Sequence, residues 1–202
     1  MRSRLNKPGL LVLGLGNPGA EYRYTRHNAG FRVLDILSEL SEIRLQKKPF
    51  KAYELGKGVW RNHTLILVKP LTYMNNSGII VPSLLRRFVV PLDRMMIVCD
   101  TLDLEPGRIR LKRKGGSAGH RGITSVIQAV GSSDFPRMYI GVGRPELTSE
   151  VVDFVLGRPD AEDEALIRSA QEAAARGIIE LLDNGLEQVM HEINRKQTPR
   201  DS

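Results

Sequence analysis

Cysteine is nearly missing: Cys99 stands alone in 202 residues, so no internal disulfide can form and a reducing compartment is expected. Long apolar runs are missing too. None approaches the roughly 20 residues that a membrane span needs, so no membrane partner is expected. The four histidines, His27, His63, His120 and His191, show no paired ligand spacing such as H-x-x-x-H, and only one thiol accompanies them. That pattern argues against a metal site, and no cofactor is expected. The basic start MRSRLNKPG leads into an apolar stretch too short for a secretory signal, and Gly-Asn-Pro-Gly follows it where a cleavage site would stand. It reads as a first strand. A soluble cytoplasmic protein is the expectation, with earlier removal of an organellar targeting segment left open. Internal repeats, heptads and linkers are absent as well. One α/β domain over residues 1–196 is expected, with a polar, disordered tail over 197–202.

What is present starts with charge. The net charge is +7, which suggests a polyanionic partner. It is also unevenly placed. Arg108, Arg110, Lys112, Arg113, Lys114 and Arg121 fall between Pro106 and Ser133, a stretch with no acid, whereas eight acids lie from Asp160 to Glu187. The expectation is a positive side, which would meet a phosphate backbone, and a negative side. A charged edge strand that resists aggregation is the plainer reading of the same basic run.

Periodicity orders the elements. Leu10 to Leu15 predicts a buried strand, and Asn28 to Leu40 a helix with Asn28 as N-cap. Tyr53 to Trp60 and Thr64 to Val68 predict a hairpin. Ser77 to Phe88 predicts a helix with Pro82 in its first turn. Met95 to Cys99, Arg108 to Arg113 and Met138 to Val142 predict strands, with a short helix from Ile123 to Val130. Asp160 should cap a long helix, with Asp163 reaching back and a stripe of Leu166, Ala170, Ala173, Ala174, Gly177, Ile178, Leu181 and Leu182 facing the core. Asn184-Gly185 ends it, and a second helix runs to about Lys196. This order predicts a twisted mixed β-sheet sandwiched between helices.

Two motifs tempt and fail. Gly14-Leu15-Gly16-Asn17-Pro18-Gly19 spells G-x-G-x-x-G, but dinucleotide binding needs a helix to begin at the turn, and none can begin before Asn28. Gly115 to Gly119 spells G-x-S-x-G around Ser117, but the preceding strand RIRLKRK is too charged for the buried strand of a nucleophile elbow. What holds is a set of polar residues at strand ends, where open α/β sheets place their sites. Asn17 follows the first strand, Asn75 follows the hairpin, Asp100 ends a strand and His27 closes the first loop. Each alone could shape a turn or cap a helix. Their convergence on one edge is the signal.

The stretches GLGNPGAEYRYTRHNAG, KPLTYMNNSG, DTLDLEPGRIRLK, GGSAGHRG, IGVGRP and VVDFVLGRP resemble, in order, the motifs of bacterial-type peptidyl-tRNA hydrolases, over about Leu10 to Leu182. The resemblance implies a monomeric, cofactor-free α/β enzyme that cleaves the ester joining a peptide to the 3′ end of tRNA. It implies His27 as base and Asp100 as its partner, with Asn17 and Asn75 holding peptide and scissile ester. Tyr22, Tyr73, His120 and Arg121 are the further expected substrate contacts. Arg108, Arg110, Lys112, Arg113 and Lys114 are the expected tRNA contacts. Two positions depart from the family pattern: Arg121 stands where relatives usually have Asn, and Cys99 where many have His. Two other functions remain open at this level. One is a non-catalytic RNA-binding relative, such as an organellar group II intron splicing factor. The other is a serine esterase using Ser117.

Overall fold

The computed structural model describes residues 9–196, so the tail expected to be disordered lies outside the described residues. Seven strands form one mixed sheet: β1 (Leu10–Gly14), β2 (Gln46–Lys47), β3 (Tyr53–Trp60), β4 (His63–Pro70), β5 (Met95–Thr101), β6 (Ile109–Lys112) and β7 (Arg137–Gly141). Their spatial order is β2-β3-β4-β1-β5-β7-β6. The central strands β4, β1, β5 and β7 run parallel. The outer strands β3 and β6 pair antiparallel to their neighbours, as does β2. Burial on both faces explains why β1 and β5 read as continuous apolar runs.

Helices cover both faces, as expected of a sheet sandwiched between them. Residues Leu10 and Val12 of β1 join a core with α1 (Ala29–Ser41), α5 (Ala161–Asn184) and α6 (Leu186–Lys196). Leu11 and Leu13, on the opposite side of the pleat, join a core with α2 (Val81–Phe88) and α3 (Arg121–Val130). Each fully buried Leu or Val in these layers contributes about 1.5–3 kcal/mol. No described helix is long and apolar enough to cross a membrane.

The connections place the site. From β1 the chain crosses one face through α1 and reaches β4. From β4 it returns over the other face through α2 to β5, on the far side of β1. One crossover thus ends beside β1 at β4 and the next ends on its other side at β5, which opens a crevice at the carboxyl ends of these strands. Gly30 lets α1 sit against its floor, since a Cβ there would lie 2.3 Å from the Val98 carbonyl oxygen.

Several local expectations were displaced. The helix expected from Ser77 begins at Val81, after a 3-10 turn over Met74–Ile80. Asn28 precedes α1 but makes no capping bond, because its side chain is committed elsewhere. Asp160 does cap α5, accepting from the Asp163 amide at 2.9 Å, yet the Asp163 carboxylate turns to Arg26. Leu166 is 44 % exposed, and Ile167 takes its core position. The short helix α4 (Val151–Leu156) and the strand β2 went unpredicted.

Candidate active site

Asp100 is the fixed point. It is the last residue but one of β5, with only 3 % exposure, and two imidazoles reach one of its oxygens. His27 Nδ1 lies 2.8 Å from Asp100 Oδ1, and His120 Nε2 lies 3.1 Å from the same atom. The His120 tautomer follows from its other nitrogen, which accepts from the Gly122 and Ile123 amides at 3.1 and 3.3 Å. A nitrogen that accepts two N–H groups carries no proton, so the His120 proton is on Nε2 and points at Asp100. Burial alone would raise the Asp100 pKa, but the facing imidazoles, through charge and hydrogen bonds, hold it far below the usual carboxylate range. Asp100 is therefore an anion that accepts, and His27 Nδ1–H donates. The lone pair of His27 is left on Nε2.

For His27 itself, burial pulls the pKa down and the Asp100 charge and hydrogen bond push it up. The balance lies above the ordinary value of 6.5, with the Arg121 charge as a smaller downward influence. Cys99, fully buried beside this network, has its thiol pushed up by burial and by the Asp100 charge, and it stays protonated.

Local structure delivers His27 to this point. The 3-10 turn Arg26–Asn28 carries it, and both of its flanking residues are anchored. Asn28 Oδ1 accepts from the Asn17 amide at 2.8 Å, and its Nδ2 donates to the Asn17 carbonyl at 2.9 Å. Arg26 donates to the Arg158 carbonyl and to Asp163, both at 3.1 Å, and stacks 4.0 Å from the Phe154 ring. Sequence reasoning missed both anchors. Their place beside His27 was a signal, but their partners are up to 137 residues away.

A cavity of about 520 Å³ opens over His27 and Asp100. Asn17, Tyr22, Tyr73, Asn75, Ser117 and Arg121 also line it, so the crevice gathers every expected substrate contact. Val151, Val152, Val155 and Leu156 of α4 add an apolar wall that the sequence reading did not foresee. The two carboxamides differ in freedom. Asn17 Oδ1 accepts from the Met74 amide at 2.8 Å, which leaves its NH₂ to act only as a donor. Asn75 is exposed at the start of the 3-10 turn and keeps its whole amide available. His120 lines the cavity too, with both ring nitrogens bonded inside the protein.

Ser117 also lines the cavity, but no described residue supplies its hydroxyl with a base. The nearest imidazole in sequence, His120, has no free nitrogen. The histidine-spacing argument missed that His27, Asp100 and His120 bring ligand-type atoms within 4.8 Å of one another. A cation there would have to expel both ring protons from the Asp100 oxygen, so the group is built as a proton network. G-x-G-x-x-G leads only into the loop of His27, and the first full helix starts at Ala29.

The basic strand splits as alternation requires. Ile109 and Leu111 enter the core, while Arg110 and Lys112 share the exposed face. Arg108 is half-buried before the strand, and Lys114 is exposed after it. Arg113 lies 2.8 Å from Glu187. The expected positive and negative sides therefore meet in part. Arg26–Asp163, Arg32–Glu164 and Arg61–Asp183 are further pairs between the first part of the chain and the acidic helix.

Comparison with known proteins decides the ancestry: a family model described as peptidyl-tRNA hydrolase matches residues 11–201. The chain belongs to the peptidyl-tRNA hydrolase family. The peptidyl-tRNA hydrolase of Caldanaerobacter subterraneus subsp. tengcongensis is 42 % identical, covering 91 % of this chain and 98 % of the relative. That of Bacillus pumilus is 44 % identical, covering 93 % and 99 %. A crystal structure of peptidyl-tRNA hydrolase from Acinetobacter baumannii superposes with a TM-score of 0.87 at 35 % identity, covering 93 % of this chain and 95 % of that one.

Proposed function

We propose that this chain hydrolyses the ester of peptidyl-tRNA, with His27 as general base. The observation that carries this reading is the buried Asp100 carboxylate holding His27 Nδ1 at 2.8 Å, which leaves Nε2 unbonded in a cavity lined by two carboxamides. Nε2 takes a proton from a water, and the water oxygen attacks the ester carbonyl. The tetrahedral oxyanion accepts from the Asn75 NH₂. The intermediate then collapses, the C–O bond to the ribose 3′ oxygen breaks, and the Nε2 proton passes to that oxygen. The products are free tRNA and a peptide acid. A positioned base of this kind is typically worth 10²–10⁴-fold. Asp100 keeps the tautomer and balances the imidazolium that forms.

Asn17 acts on the peptide side, as a donor to a carbonyl. An acylated amine enters this site more readily than a free α-ammonium, which would lose its hydration. The tRNA phosphates lie along Arg110 and Lys112, with Lys114 and Arg108 at the ends of the strand.

The test compares N-acetylated and unacetylated aminoacyl-tRNA, with wild type and His27→Ala. Rapid deacylation of the acetylated substrate alone, lost in the variant, supports the reading. Wild type as inactive as the variant would replace it with a purely RNA-binding role, and activity lost in Ser117→Ala but kept in His27→Ala would replace it with a serine esterase.

A further inference from the structure

Two arginines line the catalytic cavity, and they differ. Arg144 gives its guanidinium to Asp103 at 2.6 Å. Arg121, exposed on the first residue of α3, has no carboxylate partner among the described residues. It directly follows His120, whose ring shares the Asp100 oxygen with His27.

A second cavity, of about 170 Å³, abuts the first, and the two share Thr101, Asp103, Ala118 and Tyr139. The second is lined by Arg110, Lys112 and Arg137. Between them lies the loop from Gly115 to Gly119. Its Gly116 and Gly119 have nothing within 4 Å of where a Cβ would stand, so the loop surface is open. Cations thus mark both ends of a continuous path: Arg110 and Lys112 at the edge strand, Arg121 at the mouth over His27.

We propose that Arg121 takes the last internucleotide phosphate of the RNA 3′ end, and that this contact sets the scissile ester in register over His27. The inference rests on the hydrolase reading and deepens it. A guanidinium can grip a phosphate with two parallel N–H donors, which fixes orientation as well as attraction. Arg121 has no internal carboxylate to release first. The phosphodiester it takes is one nucleoside away from the ester, so docking and alignment become one event.

A second consequence follows from charge. The titratable and charged groups that line the cavity with His27 are Asp100 on β5, His120 and Arg121 at the head of α3, the paired Asp103 and Arg144, and Tyr22, Tyr73 and Tyr139, while α4 adds only apolar side chains. The Arg121 charge opposes protonation of His27. A phosphate seated on Arg121 cancels that influence, so His27 becomes a stronger base once RNA is bound.

The experiment uses two small esters and the full chain. One is an N-acetylated aminoacyl ester of adenosine, which has no phosphate. The other is the same ester on a CCA trinucleotide. Arg121→Gln should lose roughly tenfold to a hundredfold in kcat/KM on the trinucleotide ester, the worth of a charged hydrogen-bonded contact, and far less on the nucleoside ester. Arg121→Lys should recover part of the loss. With the trinucleotide, the acid-limb pKa in kcat should exceed that in kcat/KM for wild type, and the gap should close in Arg121→Gln. Equal losses on both esters, or no loss on either, would overturn the inference while leaving the hydrolase reading intact. Wild type that turns over neither ester would sink both.

Discussion

At the rim of the main cavity Asp100 is 3 % exposed, and two ring N–H groups converge on one of its oxygens. At the β6 edge Arg110 and Lys112 stand in water with no carboxylate opposite them among the described residues. The two regions hold charge under opposite conditions. Unit charges 4 Å apart interact by about 1 kcal/mol in bulk water and about 4 kcal/mol near a protein surface of effective dielectric 20. Screening acts on the edge and spares the rim. A single rim group should therefore matter greatly and independently of salt, whereas edge groups should each matter little and through salt.

The largest test of this contrast is Asp100→Asn. It keeps the shape and removes both the anion and the tautomer control, so deacylation should fall by about 10²–10⁴-fold. The pH profile adds a sign. His27 must be neutral to act, and its pKa lies above 6.5, so wild-type activity should rise with pH through a midpoint above that value. Without Asp100 only the downward influences of burial and of the Arg121 charge remain, and the midpoint of the residual activity should move down. A loss under tenfold, or a midpoint moving up, would break the comparison.

His120 sharpens it at a smaller scale, because it serves fold and site at once. His120→Ala removes the α3 cap, about 1 kcal/mol of stability, together with one donor to Asp100. His120→Asn can cap α3 without reaching Asp100, so it should restore most of the thermal stability. Its activity should stay roughly tenfold or more below wild type, the worth of a hydrogen bond to a charged group. Recovery of full activity along with stability would reduce His120 to a helix cap.

How much of this was visible beforehand depends on the range of each interaction. The strands, the hairpin, the capped α5 and the gathering of Asn17, His27, Asn75 and Asp100 at strand ends were legible, because period and turn chemistry are local. Asn28 shows where local reasoning stops. Its type and place predict a cap, but Asn17 lies within reach in space, so the carboxamide binds that backbone instead. Ile167 replaced Leu166 because the facing helices fix the rotation of α5, and its own sequence does not. His120 was expected at the substrate from the family resemblance, and it lines the cavity, but its place in the sequence does not reveal that one nitrogen caps α3 and the other faces Asp100. Nor does the sequence show that Arg113, an expected RNA contact, also pairs with Glu187, 74 positions away.

The edge supplies the smaller effects. Replacing Arg110 and Lys112 with Ala should weaken tRNA binding by a few-fold at moderate salt, and the log–log salt slope should become shallower by about 1 for each cation removed. Turnover of bound substrate should hardly change, since neither side chain enters the cavity over His27. An altered kcat with an unchanged slope would place these residues in the chemistry and erase the distinction between rim and edge.

Arg113 gives the finest test, because it sits in the same basic run yet is occupied. It and Glu187 are each 64 % exposed, so their pair contributes about 0–1 kcal/mol. Arg113→Ala should leave the salt slope of binding as it is. Glu187→Gln keeps the size of the partner, removes its charge and frees Arg113 toward solvent, so it should steepen the slope by up to about 1. If Arg113→Ala instead flattened the slope as much as Lys112→Ala, exposure alone would govern RNA binding at this edge, and the pairing with α6 would carry no weight.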